Sequence, residues 1–442
     1  MALSRGTGLG GSGLSDGLPN LGGSGGEDRF DPTASFAPGA NSAWDFINNY
    51  ARFKDVYYGP LANTPGWSFT RASTGYAQTS AGALQSFASG ELRRTDKGVL
   101  IEGARTNLCL QSQTFDNASW TKNQSSVSAN ATTAPDGTST ADLLTEDSTA
   151  GAVHRATQSP TTTAAAHTAS VYVKPNGRTW VYMRMTDNTS TPRRCYFNCS
   201  GSGSVGTAES GMTGSIAALA NGWYRISATI GTALAGANFL VFGLSSADNT
   251  ETYNGDGASG AYLWGAQLEA TAYASSYVPT TTASATRAAD VLSVPVTMAS
   301  PLTGFLEFAY ADGVTSASAA ASQYGLVLGS TDNSNRLILY NPSSANGQIV
   351  QVAAATQSQI GVAGLVLSGV TQKVASRVAT NDFQFASNGT LGTPDVSGTA
   401  LSDIVTARFG GIAGTNATFG YLRRAALWTR ALTNAELQAV TT

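Results

Sequence analysis

From Trp67 almost to its end the chain runs in short stretches of alternating apolar and polar residues, broken by Gly, Ser, Asn or Pro. The breaks come about every ten residues, the spacing of a β-sandwich, and alternation of period two places one set of side chains in a core and the other in water. The clearest runs, 169–174, 180–185, 195–199, 223–230, 239–244 and 261–269, predict one antiparallel domain. A Thr- and Ala-rich stretch, PTTTASATR at 279–287, interrupts them. A second series follows at 306–310, 325–329, 336–340, 373–379, 382–386, 407–410 and 421–428.

The two ends read differently. Residues 1–28 are dominated by Gly, Ser and Leu and bury too little surface to offset chain entropy, which predicts a flexible arm. In SAWDFINNYARFKDVYY (42–58), Trp44, Ile47, Tyr50 and Ala51 recur at the spacing of one helical face, so a short helix is expected there. Near the C-terminus, Thr433 with Glu436 forms a capping box, and Leu432 with Leu437 a hydrophobic staple, so a closing helix is predicted. The fold expected is all-β: two tandem antiparallel jelly-roll or β-sandwich domains after a flexible arm and a short helix. The divisions are 1–28, an anchoring or adaptor region at 29–103, a jelly roll at 104–287 and a second sandwich at 288–442.

Composition supports strands. Of 442 residues 12% are charged and 49 are Gly, which suits turns and strands and leaves too few charges for the wet faces of long helices. A net charge of -3 and widely spaced lysines give no basic field for a phosphate backbone, so nucleic-acid binding is not expected. No run of about 18 apolar residues occurs and Met1 to Gly26 has no apolar signal-peptide core, so membrane insertion is not expected and synthesis in the cytoplasm is. Cys109, Cys195 and Cys199 lack metal-type spacing and read as buried thiols.

Several segments carry a resemblance: GWSFTRAST, GVLIEGARTNL, FDNASW, TASVYVKP, GWYRIS, YLWGAQLEA and SSYVPTTTASATRAAD, in that order. They resemble a carbohydrate-binding-like jelly roll of bacteriophage tail fibres and head spikes, including those of phage-like gene transfer agents. The last part, with RLILY, NDFQFASNG, ARFGG and YLRRAALWTRALTNAELQAV, looks like the closing strands and helix of a laminin-G or concanavalin-A-like lectin domain. The resemblance implies a non-enzymatic virion protein. Its N-terminal region would attach to the particle and its sandwiches would bind host surface or capsular polysaccharide as a homo-oligomer on the particle surface. Related jelly rolls hold a structural calcium through a carboxylate on a late strand, which makes Glu269 a weak calcium candidate. No other cofactor or metal is implied.

The residues themselves give little catalytic chemistry. His154 and His167 are the only histidines, and the G-x-S-x-G string at 13–17 lies in the arm rather than on a strand-to-helix elbow. Glu102, Asp142, Glu146, Asp147 and Glu269 are carboxylates without a spacing that marks a glycosidase pair. Strand parity is more informative. In WVYMRM, Val181, Met183 and Met185 share the core face and Trp180, Tyr182 and Arg184 the other; in RCYFNC, Cys195, Phe197 and Cys199 oppose Arg194, Tyr196 and Asn198.

If these sequential strands pair, Trp180, Tyr182, Arg184, Arg194, Tyr196 and Asn198 form one patch, with rings for the C–H faces of a sugar and fixed donors for its hydroxyls or carboxylate. The alternative is that these rings pack beneath a loop or against another protomer. Trp223, Trp264 and Trp428 read as core, Trp120 as core or rim, and Arg336, Arg408, Arg423 and Arg424 as solvated or as further glycan contacts. Two readings compete with adhesion: a purely structural capsid or tail decoration, and a polysaccharide depolymerase.

Overall fold

The computed structural model describes residues 35–311, 323–341, 345–363, 369–412 and 420–442. The arm at 1–28 and the string at 13–17 lie outside them. The described chain is all-β and builds two antiparallel sandwiches, a base and a head, with one α-helix at Asn434–Thr441. No helix among the described residues is long and apolar enough to cross a membrane.

The base stacks two sheets. One runs Val56–Tyr58, Tyr50–Phe53, Ser42–Asp45, Gly420–Trp428, Leu302–Tyr310, Thr371–Ala379, Asp382–Ser387 and Thr390–Leu391, with Gly98–Ile101 also paired to Gly420–Trp428. The other runs Ala355–Ala363, Ala345–Val352, Arg336–Asn341, Gln323–Gly329, Ile404–Phe409, Val291–Met298 and Ser68–Thr70. Trp44, Phe46, Phe53, Val99, Leu306, Leu328, Phe385 and Phe409 are buried together between them. The closing helix carries the expected cap: Thr433 accepts from the Glu436 amide, and Leu432 and Leu437 are buried.

The expected helix at 42–58 is instead three strands. Trp44 and Phe46, and then Ala51 and Phe53, point into the core at period two. Asp45 closes the first turn by accepting from the amides of Ile47 and Asn48. Lys54 and Asp55 both adopt positive φ, which a two-residue hairpin turn of this hand requires. The helical spacing of the aromatics lost to pairing with a distant strand, Ser42 opposite Leu427. The described part of 29–103 therefore supplies strands of the base.

Between the two segments of the base stands the head. Its sheets run Thr121–Asn123, Arg155–Gln158, Leu240–Ser245, Trp180–Thr186, Pro192–Asn198 and Ser204–Ala208, and Ser125–Thr132, Ala141–Glu146, Gly260–Glu269, His167–Asn176, Tyr224–Ile230 and Met212–Ala218. Cys109, Trp120, Met183, Cys195, Phe197, Cys199 and Phe242 fill the space between them, so Trp120 is core and the three cysteines are buried free thiols. Burial pushes Cys195 and Cys199 up to about 12. A two-stranded neck, Arg105–Asn107 against Ala285–Arg287, joins head to base. Beside it the hairpin Gly75–Gln78/Leu84–Phe87 packs Tyr76 and Leu84 onto Tyr172, Trp223, Trp264 and Tyr277 of the head, while Ala77 and Phe87 meet Leu100 and Tyr421 of the base.

At the root of the neck lies a buried ionic cluster. Asp290 takes Arg71 at 3.1 Å and Arg93 on its two oxygens and also accepts from the Glu102 amide. Glu102 takes Arg93 at 2.6 Å, lies 3.5 Å from Arg287, and accepts from the amide and hydroxyl of Ser276. All five charged side chains are buried. Burial alone would raise the Glu102 carboxyl, but Arg287, Arg93 and Ser276 hold it well below the usual carboxylate range.

Asp290→Asn takes the carboxylate from buried Arg71 and leaves buried Arg93 with Glu102 alone, and is expected to cost about 3–5 kcal/mol, measured as a lower urea midpoint. Glu102 contributes its stability above its unfolded value of 4.5 and loses it as pH falls towards the depressed folded value. Acid titration of Glu102→Gln should therefore show lower stability at neutral pH and a flatter decline below pH 4.5; an unchanged acid limb would refute this role.

Candidate functional site

The head has two outer sheet faces, and only one is available. That of the His167–Asn176 sheet is closed by the aromatic cluster under the hairpin. The other belongs to the sheet in which Trp180–Thr186 and Pro192–Asn198 pair as expected, Trp180 opposite Asn198, Tyr182 opposite Tyr196 and Arg184 opposite Arg194. The register extends sideways. Asn123, Arg155, Gly243, Tyr182 and Tyr196 form one row across five strands, and Thr157, Val241, Arg184 and Arg194 a neighbouring one.

Exposure differs from the expected patch. Tyr182 and Tyr196 are each 1% exposed, with ring centroids 5.6 Å apart. The ring of Tyr182 lies over Gly243, where a Cβ would stand 2.1 Å from its Cε1, so the glycine is the space the ring occupies. Burial and the nearby Glu251 push the Tyr196 phenol up to about 12. Trp180, Arg184, Arg194 and Asn198 stay half-buried, and Trp180 packs at the edge of the tyrosine pair.

What covers the tyrosines is a carboxylate from a distant loop. Glu251 accepts from Tyr182 Oη at 3.1 Å, Arg155 Nη1 at 3.1 Å and Arg194 Nε at 2.6 Å, with Arg184 Nη1 at 3.6 Å. Glu209 binds Arg194 from the other side, through its amide at 3.0 Å and Nη1 at 3.2 Å. Burial lowers the Arg184 pKa, and Arg155 lowers it further.

The loop is fixed at two points. Asp248 accepts from the amide and hydroxyl of Thr207 next to Trp180. Further on, Glu146 takes Arg178 bidentately at 2.8 and 2.5 Å, together with Tyr253 Oη and the Asp256 amide.

Sequence reasoning missed Arg155, Glu209 and Glu251. Arg155 had a signal, since Ala156 is core and Arg155 and Thr157 alternate with it. Glu251 had none, because it reaches the patch from a turn-rich loop.

The remaining candidates have structural partners. Glu269 is buried and accepts from Gln267, the Ser275 amide and the Ser275 hydroxyl; burial raises its carboxyl against these hydrogen bonds. Among the described residues no three His, Cys, Asp or Glu side chains gather as a metal site. Asp142 accepts from the Phe115 and Asn130 amides, and Asp147 from the Thr149 amide. His154 and His167 are buried, each with Nδ1 on a main-chain carbonyl. Trp223, Trp264 and Trp428 are core, and Arg336, Arg408, Arg423 and Arg424 bind Gln351, Asn333 and Glu307.

No family model matches the chain, and no curated protein does. Among solved structures it is similar to the CBM40 of the Ruminococcus gnavus IT-sialidase bound to alpha2,3 sialyllactose, at 17% identity over 33% of this chain and 84% of that one, TM-score 0.27. It is also similar to a heptameric SAP-like pentraxin from Limulus polyphemus, at 16% identity over 34% and 72%, TM-score 0.26. Mouse laminin alpha1 domains LG4-5 align at 12% identity over 62% and 88%, TM-score 0.23. At these scores the likeness is one of general architecture and bears on no ligand.

Gly243→Ala forces the Tyr182 ring off the sheet and should cost about 1–3 kcal/mol by overpacking. The expected observation is a lower melting temperature with an altered tyrosine signal in near-ultraviolet circular dichroism.

Proposed function

We propose that this chain is a non-enzymatic surface protein of a virus-like particle whose head binds a host surface polysaccharide. The observation that carries the reading is the open sheet face of the head, where Trp180, Asn198 and three arginines frame a tyrosine floor. Rings and fixed donors of this kind suit the two chemistries of a sugar, its apolar C–H face and its hydroxyl or carboxylate groups. Attachment to the particle rests on the resemblance to phage fibre and spike modules. A single shallow site of this type binds at about -4 to -8 kcal/mol, so firm adhesion calls for several copies in one oligomer.

The test is binding of the full chain to encapsulated host cells and to capsule-free mutants of the same strain. Capsule-dependent binding, weakened about tenfold by Trp180→Ala in a variant of unchanged melting temperature, is the expected result. Equal binding to both strains would favour the structural decoration, and release of new reducing ends from purified capsule the depolymerase.

A further inference from the structure

One arginine of the open face is poorly paired. Arg155, Arg184 and Arg194 share two carboxylates, Glu251 and Glu209. Glu251 satisfies Arg155 and Arg194 at hydrogen-bond distance but reaches Arg184 only at 3.6 Å, and Arg184 Nε is buried with no acceptor. Arg184 is thus held only by a long ion pair, close to two other guanidiniums, and an added anion meeting the exposed part of its side chain would strengthen that pairing. The group can be reached, since the three arginine side chains are 16–24% exposed. A planar carboxylate matches the forked donors of Arg. Asp248 also lies on this face beside Trp180, so what favours an anion is not the net charge but the gathering of three guanidiniums around Glu251, with Arg184 the least well paired of them.

Glu251 then has a second role. It stands on the loop between Ser245 and Tyr253, among the donors that a ligand carboxylate would use, and carries the same charge. Resting on the glycan-binding reading above, we infer that the Arg155–Arg184–Arg194 cluster is a subsite for the carboxylate of an acidic sugar, and that Glu251 is a built-in competitor that weakens its binding. The ligand's carboxylate takes Arg184 and shares Arg155 and Arg194, while its ring lies towards Trp180. Glu251 keeps the arginines gathered when no ligand is present, and its repulsion sets the affinity.

Uronic acids and sialic acids present the same carboxylate, so both are probed. The full chain is titrated by calorimetry with polyglucuronate, polysialate and neutral dextran, as wild type, Glu251→Gln and Arg184→Met. Gln keeps the shape of Glu251, and Met keeps most of the apolar stem of Arg184, so melting temperatures report whether each variant is folded.

The expected result is that Glu251→Gln binds at least one acidic polymer about tenfold more tightly than wild type and dextran no better. Arg184→Met should lose the acidic polymer, and raised salt should weaken binding throughout. Unchanged or weaker acidic binding by a folded Glu251→Gln overturns the inference, as does failure of both wild type and Glu251→Gln to bind either acidic polymer. Capsule-dependent binding of cells combined with that failure leaves the adhesion reading standing alone. Tightened binding of polyglucuronate without any binding of cells supports the subsite and removes the adhesion reading.

Discussion

The architecture depends on the buried charges at the root of the neck. Chain leaves the base at Ile101 and returns at Val291, and the residues next to those points, Glu102 and Asp290, are the two anions of the cluster. Arg71 and Arg93 come from the N-terminal segment and Arg287 from the neck, so one knot ties both segments of the base to the head. Removing such charges from water is expensive and is offset only when nearly every donor has an acceptor. Here main-chain carbonyls of Ser73, Ala88, Tyr76 and Gly103 take further guanidinium donors, while Arg93 Nε and the Nε and Nη1 of Arg287 stay buried without a hydrogen-bond partner. Gly75 leaves room for the Arg71 and Arg93 side chains, since a Cβ there would stand 2.8 Å from Arg93. The knot gives directional contacts where apolar packing alone would let the two bodies slide.

Much of this was legible one strand at a time. The parity of Trp180–Thr186 and Pro192–Asn198 follows from alternation, and their register is the one that sequential pairing implies. The closing helix was legible from its cap, a purely local device. What escaped depends on partners far along the chain. Residues 42–58 read as a helix because four apolar residues share a helical spacing, yet the pairing of Ser42 with Leu427 decides their conformation. The tyrosines read as either an exposed patch or rings packed beneath a loop, and nothing in their own strands decides between the two, because the covering Glu251 lies more than fifty residues on.

The segments that carry the family resemblance have a physical meaning that their order alone does not disclose. GWSFTRAST contains Arg71, GVLIEGARTNL contains Glu102, SSYVP contains Ser276 and the following RAAD contains Arg287 and Asp290. YLWGAQLEA is the central strand beneath the closed aromatic face. These motifs describe how the head is mounted. The open face, by contrast, draws on Arg155, Glu209 and Glu251, which lie outside every one of those segments. The cluster that mounts the head and the open face therefore draw on different parts of the chain.

That separation has a consequence for how such a protein can change. Both ends of the head meet in a single antiparallel pair, Arg105–Asn107 beside Ala285–Arg287, and the base closes around them with strands from before and after. Genetic exchange with crossovers at those two places would replace the whole head as a cassette. A recipient would keep its base and acquire a new outer face in one event, so long as the incoming head brings the Ser276 and Arg287 contacts of the knot and a surface that fits the hairpin at 75–87.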